Sequence, residues 1–192
     1  MSAPRLILAS ASPRRVALLA QIGITADAVD AADIDESVFG NERPADHAVR
    51  LAWAKAAIVA QRHQGAVVLG ADTVVAVGRR ILPKAESEAQ VRACLELVSG
   101  RRHDVLTAVS VVDAAGNPHH RMSTTTVIFK RLSVAEIDAY VASGEGLGKA
   151  GGYAIQGRAE ALVRRVQGSW SGVVGLPLFE TRALLSGAGI DV

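Results

Sequence analysis

Asp72 is the only ionisable residue between Gly65 and Gly78, inside a run, AVVLGADTVVAV from Ala66 to Val77, that otherwise reads as a buried strand. A carboxylate in such surroundings is costly unless a cation, a metal ion or several hydrogen bonds compensate it. Such an acid either ties down a turn through Thr73 or a neighbouring amide, or it acts on a ligand, and spacing alone leaves both readings open. Lys55 offers a complementary charge. Its helical neighbours Leu51, Ala52, Ile58 and Val59 are all apolar, so the ammonium either snorkels to the surface or projects into a cleft toward an anion. Lys84, just after Pro83 at the end of a short strand, is either a solvated edge lysine or a phosphate contact.

A second cluster lies at Ser10-Ala11-Ser12-Pro13-Arg14-Arg15, where a strand gives way to a helix with Ser12 as N-cap and Pro13 in the first turn. Two arginines there oppose the positive end of the helix dipole, a cost that a bound phosphate would relieve; the plainer reading leaves both solvated. Asp30, Asp33, Asp35 and Glu36 supply hard oxygen donors of the kind magnesium or manganese prefers, although a solvated acidic loop is the commoner explanation of any one of them. The histidines lack the spacing of a zinc site. From Ser143 to Gly157 six of fifteen residues are glycine, too much backbone freedom for an ordinary linker. Gly146–Gly151 fits GxGxxG but follows a helix, and Ala150 stands where a P-loop needs Ser or Thr. What is left is a mobile loop whose Tyr153 and Gln156 suit recognition of a base.

The elements that must position these groups are a strand (Leu6 to Ala9), a helix (Pro13 to Ile22), a polar connection (Thr25 to Glu42) and a long helix (Pro44 to His63). A hairpin through Gly78-Arg79-Arg80 follows, then a helix (Glu86 to Val98) and two strands (Asp104 to Val112, Ser123 to Phe129). A capped helix opens at Ser133, a strand is predicted at Ala161 to Val166, and a helix from Pro177 to Leu185 comes last. Mixed strands and helices predict an α/β or α+β class, and the absence of repeats or composition breaks predicts a single domain over 1–192.

With 49% hydrophobic residues the chain can bury a sizeable core. A net charge of +2 and 4% aromatic residues argue against a nucleic-acid binder that stacks bases. Cys94, the single cysteine, falls among apolar helix positions and reads as core. The Leu6 to Ala9 run is too short for a signal segment, and no apolar stretch approaches the roughly 20 residues of a membrane helix, so no membrane partner and a cytoplasmic location are expected.

Read together, SASPRR (Ser10 to Arg15), GADTVV (Gly70 to Val75), ILPKA (Ile81 to Ala85), SGRRHDVLTAV (Ser99 to Val109), GKAGGYAIQG (Gly148 to Gly157) and GSWSGVVGLP (Gly168 to Pro177) resemble the Maf family of nucleotide pyrophosphatases. The resemblance implies a two-lobed α/β fold of the inosine triphosphate pyrophosphatase type, a cleft between the lobes, often a homodimer, and house-cleaning hydrolysis of nucleoside triphosphates. It sets Asp72 in the place of the general base, Ser10, Arg14, Lys55 and Lys84 on the phosphate side, and Glu36, with Asp35 as the alternative, beside a divalent Mg²⁺ or Mn²⁺. It places Arg15, Thr73 and Gln156 where the family sets substrate preference.

The GGYAIQG segment is similar to the branch that takes dTTP and UTP rather than 7-methyl-GTP. A primary amide such as Gln156 can present one donor and one acceptor to a uracil or thymine ring. An aspartate at its ordinary value of about 3.9 is a poor base for free water, so the reaction calls for metal-activated water or a raised value. The rival expectation is a nucleotide-binding regulator, linked to cell division, without turnover.

Overall fold

The computed structural model describes residues 4–191. In chain order the elements are β1 (Leu6–Leu8), α1 (Pro13–Gln21), β2 (Ala28–Val29), α2 (Pro44–Arg62), β3 (Val67–Val77), β4 (Arg80–Leu82) and α3 (Glu88–Val98). Then come β5 (Arg102–Val112), β6 (Pro118–Phe129), α4 (Val134–Ala142), β7 (Val163–Gln167), α5 (Trp170–Val174) and α6 (Leu178–Gly187). One mixed sheet runs in the order β2-β1-β3-β5-β6-β7, with β4 also on β3. β1 is parallel to β2 and β3, and the other pairings are antiparallel.

β5 covers one edge of β3 from Val68 to Ala76. The other edge is shared: β1 holds it as far as Leu69, whose carbonyl accepts the Ala9 amide at 2.8 Å, and β4 takes it up again at Val75. Between those points Gly70 to Val74 have no neighbouring strand on that side among the described residues, and the sheet carries a notch with Asp72 and Thr73 inside it.

Alternation along β3 divides its side chains between two faces. On one face α2 lies unusually close, because a Cβ at Gly70 would stand 2.6 Å from the Ala52 carbonyl oxygen and 2.8 Å from the Ala56 nitrogen. That approach brings Lys55 over Asp72. On the other face two separate cores form. Leu6, Leu8, Val67, Leu69 and Ala71 pack with Leu18 and Leu19 of α1 and Leu184 and Leu185 of α6. Further along the same strand Val75 joins Val105, Val127 and Phe129 under Val91 and Leu95 of α3 and Ile137 and Tyr140 of α4. Each fully buried leucine contributes about 2 kcal/mol. Thr73 falls at the seam, and the two lobes expected from the resemblance are these two cores.

Several boundaries differ from expectation for local reasons. Ser12 occupies the N-cap of α1, but its side chain makes no cap bond. α3 begins at Glu88 because the Ser87 hydroxyl accepts the Gln90 amide, whereas the capping box of Ser133 and Glu136 at α4 forms as the spacing predicts. The strand expected from Ala161 is partly a 3₁₀ turn (Arg158–Leu162), and β7 starts only at Val163. α5, within GSWSGVVGLP, was not foreseen. The largest correction concerns the glycine-rich segment. It is not a mobile flap: Tyr153, Ala154 and Ile155 are buried, and the Gly148 and Gly151 amides donate to the Ala85 and Pro83 carbonyls at 2.7 and 3.0 Å.

Candidate active site

A cleft of about 530 Å³ opens at the notch, lined by the side chains singled out above for chemistry except Asp30, Asp33 and Asp35 of the acidic loop. The β1–α1 turn supplies Ser10, Arg14 and Arg15; the loop before α2 supplies Glu36; α2 supplies Lys55; β3 supplies Asp72 and Thr73. Lys84 follows β4, and Gln156 comes from the glycine-rich segment. Lys55 does not snorkel out to water. It is 8% exposed, as is Asp72, and its Nζ lies 2.6 Å from both Asp72 Oδ1 and Glu36 Oε1. One ammonium therefore bridges two carboxylates on either side of the cleft. Burial alone would raise the Glu36 carboxyl, but its hydrogen bond to Lys55 and the charges of Lys55, Lys84 and Arg15 outweigh it and hold the group below its usual value.

Asp35, the alternative to Glu36, is exposed and accepts the Ser37 amide at 2.8 Å instead of lining the cleft. The acidic loop is thus dispersed, since Asp30 pairs with Arg62 and His63, both at 2.9 Å. Among the described residues no group of three or more His, Cys, Asp or Glu side chains could hold a metal ion unaided. His47, His63, His103 and His119 are each engaged in separate hydrogen bonds, three of them with carboxylates.

The two arginines of α1 are not left to an anion alone. Arg15 Nε donates to the Gly175 carbonyl at 2.8 Å and its Nη1 to Ser10 Oγ at 3.0 Å, while Arg14 Nε reaches the Val174 carbonyl at 3.4 Å. The C-terminal end of α5 thus receives charges that α1's own N-terminus disfavours. Burial pushes the Arg15 guanidinium below its ordinary value, against the pull of Asp72, and burial lowers Arg14 as well. Thr107 of β5 links this end of the site to β3: its hydroxyl donates to the Gly172 carbonyl at 2.7 Å and lies 3.1 Å from Thr73 Oγ1.

Three features escaped the sequence reading. Lys149 lines the cleft, and burial, followed by the charges of Arg14 and Lys84, lowers its ammonium. His47 lines it too, one and two helical turns before Leu51 and Lys55, with Nδ1 2.8 Å from Glu42. Arg50 clamps the loop that carries Glu36: it forks onto Glu42 at 2.6 and 2.9 Å, donates to the Ser37 carbonyl at 2.9 Å and stacks 3.8 Å from the Phe39 ring centroid. The i, i+4, i+8 spacing of His47, Leu51 and Lys55 was the available signal for the second, and nothing in the spacing pointed to the other two. Tyr153, expected to recognise a base, lines the cleft but is 5% exposed, with its hydroxyl 2.8 Å from His103 Nε2.

The fold matches that of a HAM1 protein from Coxiella burnetii with a TM-score of 0.54, 16% identity, and coverage of 96% of this chain and all of that one. In sequence the chain is 60% identical over 186 residues to a dTTP/UTP pyrophosphatase of Caulobacter vibrioides, covering 97% of this chain and 96% of the relative. It is 57% identical over 189 residues to a protein of the same name from Novosphingobium aromaticivorans, covering 98% and 94%. Residues 5–188 match the Maf-like protein family, so the notch, the bridging lysine and the paired arginines described above are features of a chain that belongs to the Maf family.

Proposed function

We propose that the protein hydrolyses dTTP and UTP to the nucleoside monophosphate and pyrophosphate. The observation that carries this reading is the charge of the cleft. Among the described residues, Arg14, Arg15, Lys55, Lys84 and Lys149 line it against only Asp72 and Glu36, five cations to two carboxylates, an excess suited to the polyanionic tail of a triphosphate. The names of relatives about 60% identical over nearly the whole chain support the same substrates.

Asp72 and Glu36 are the residues that would hold a divalent Mg²⁺ or Mn²⁺. The fit is chemical: both oxygens already converge on one cation, the Lys55 ammonium, and magnesium is commonly held by one or two carboxylates with phosphate oxygens completing its shell. When bound, such an ion supplies Lewis-acid activation of water and neutralises phosphate charge. The chain's own groups do the rest. Asp72 accepts the proton of a water that attacks the α-phosphorus, and the bond to the α,β-bridging oxygen breaks. Ser10, Arg14, Lys55 and Lys84 hold the departing pyrophosphate. Lys55 holds the Asp72 carboxylate in place by direct contact, its Nζ donating to Oδ1 at 2.6 Å. Thr73 and Arg15 line the same cleft and help choose the substrate, and the exposed Gln156 offers its amide to the edge of a pyrimidine ring.

In this reading the enzyme is a cytoplasmic homodimer acting on free nucleotides, without a nucleic-acid or membrane partner; no helix among the described residues is long and apolar enough to cross a membrane. The test is a panel of dTTP, UTP, other canonical triphosphates and 7-methyl-GTP with Mg²⁺ or Mn²⁺, scored for pyrophosphate and monophosphate. Asp72→Asn should lose at least 100-fold in kcat while its melting stays cooperative. Near-wild-type turnover in that variant would refute the assigned base. Faster hydrolysis of 7-methyl-GTP would move the substrate, and binding without turnover would favour a regulator.

A further inference from the structure

Gln156 is itself exposed, yet the segment leading to it is anchored from beneath. The Ala154 amide donates to Tyr140 Oη of α4 at 3.0 Å, and Tyr153 Oη lies 2.8 Å from Nε2 of His103 on β5. The rings of His103, Phe129 and Tyr153 meet edge to face, with centroids 4.9 to 5.5 Å apart. At the foot of the loop the Glu145 carboxylate accepts the Arg158 amide at 2.8 Å, closing the segment on itself.

The bond between His103 and Tyr153 comes at a cost to stability. His103 is 2% exposed, and its other ring nitrogen, Nδ1, is buried with no hydrogen-bond partner among the described residues. A neutral imidazole has one proton for two nitrogens. If Tyr153 donates to Nε2, an Nδ1–H is orphaned; if Nε2–H donates to Tyr153, the phenolic proton and the Nδ1 lone pair are both left over. Replacing both partners of such a bond by apolar groups of like shape is near neutral or stabilising. Two phenylalanines would therefore serve this core at least as well. What they would lack is direction, a bond of set length from β5 into the loop three residues ahead of Gln156. Burial also holds His103 down at about 4, so the ring stays neutral at ordinary pH.

We infer that His103 is a positioning residue for base selection: through Tyr153, and together with Tyr140, it sets where the Gln156 carboxamide stands at the cleft wall. This rests on the reading of Gln156 as the base contact. Neither His103 nor Tyr140 lines the cleft, so their loss should alter discrimination without removing the chemistry.

The variants are His103→Phe, Tyr140→Phe and His103→Phe/Tyr153→Phe, compared with wild type in kcat, in kcat/KM for dTTP over dCTP, and in melting temperature. For the two single variants kcat on dTTP should stay within about threefold. In all three the dTTP/dCTP ratio should fall about tenfold, the worth of one hydrogen bond, chiefly through KM. The double variant should melt at or above wild type. His103→Gln, whose carboxamide can again meet the Tyr153 hydroxyl, should recover part of the ratio. A folded double variant with an unchanged ratio would overturn the inference, as would a ratio that falls only in step with kcat and melting. If wild type itself shows no preference for dTTP, the substrate reading has failed, and hydrogen exchange decides the positioning on its own. Protection lost at the Ile155 to Gly157 amides in His103→Phe supports it, and unchanged protection refutes it.

Discussion

Replacing Lys55 with methionine keeps an unbranched side chain out to Cε and removes the ammonium that lies 2.6 Å from each of two carboxylates. Two contacts of that length to one nitrogen cap the separation of the two oxygens at about 5 Å, where like charges repel by about 3 kcal/mol at an effective dielectric constant of 20. Glu36, with 49% of its side chain exposed, can swing into water, but Asp72, at 11%, cannot. It is left as a buried charge without its partner, a situation that costs about 3–5 kcal/mol in comparable cases. The lower figure is the better one here because the cleft admits water. For a chain of this size about 3 kcal/mol lowers Tm by roughly 6–12 °C.

Whatever removes or screens the unpaired charge should relieve the deficit. Adding Asp72→Asn should return most of the lost Tm, and millimolar Mg²⁺ should raise the Tm of the single variant more than that of wild type. The assay is thermal melting at pH 7 with and without Mg²⁺. A single variant that melts within about 2 °C of wild type at pH 7 would refute the bridging role of Lys55.

Arg50→Ala releases the loop that carries Glu36, and KM for the triphosphate should rise about tenfold with a smaller change in kcat; unchanged steady-state kinetics would show that the clamp is irrelevant to the site. Gly151→Ala places a Cβ 2.8 Å from Val75 Cγ1 at a φ of 68°, so a loss of about 2–4 kcal/mol in denaturant unfolding is expected. Because His103 titrates at about 4 when folded against an ordinary 6.5, the unfolded chain takes up its proton first as pH falls. The folded state therefore carries no protonation penalty above about pH 6.5 and acquires one of roughly 3 kcal/mol as pH falls toward 4, so His103→Phe should flatten that part of the stability profile measured by urea unfolding.

Much of this protein is written in local pattern. The 3.6-residue spacing around Lys55, the apolar run enclosing Asp72, the two-residue turn at Gly78 and the Ser133 capping box are short-range signals, and they place α2, β3, β4 and α4 within a residue or two of their positions. The identities of the cleft side chains were legible too, since a lone acid in an apolar strand and two arginines at one helix start are conspicuous without any fold. The unresolved choices were all questions of direction. Whether Lys55 snorkels or reaches inward depends on the close approach of α2 at Gly70, a contact between backbones that no periodicity encodes. Glu36 rather than Asp35 meets the lysine because Arg50 and Glu42 hold the preceding loop across space. The notch itself arises where β1 leaves β3 and β4 joins it, two pairings separated by some 70 residues of chain, and only assembly of the sheet decides that Asp72 lies between them. Sequence alone settled which groups exist and on which elements; tertiary structure decided which of them face one another, because partner choice across a sheet and a cleft is set by packing between distant segments.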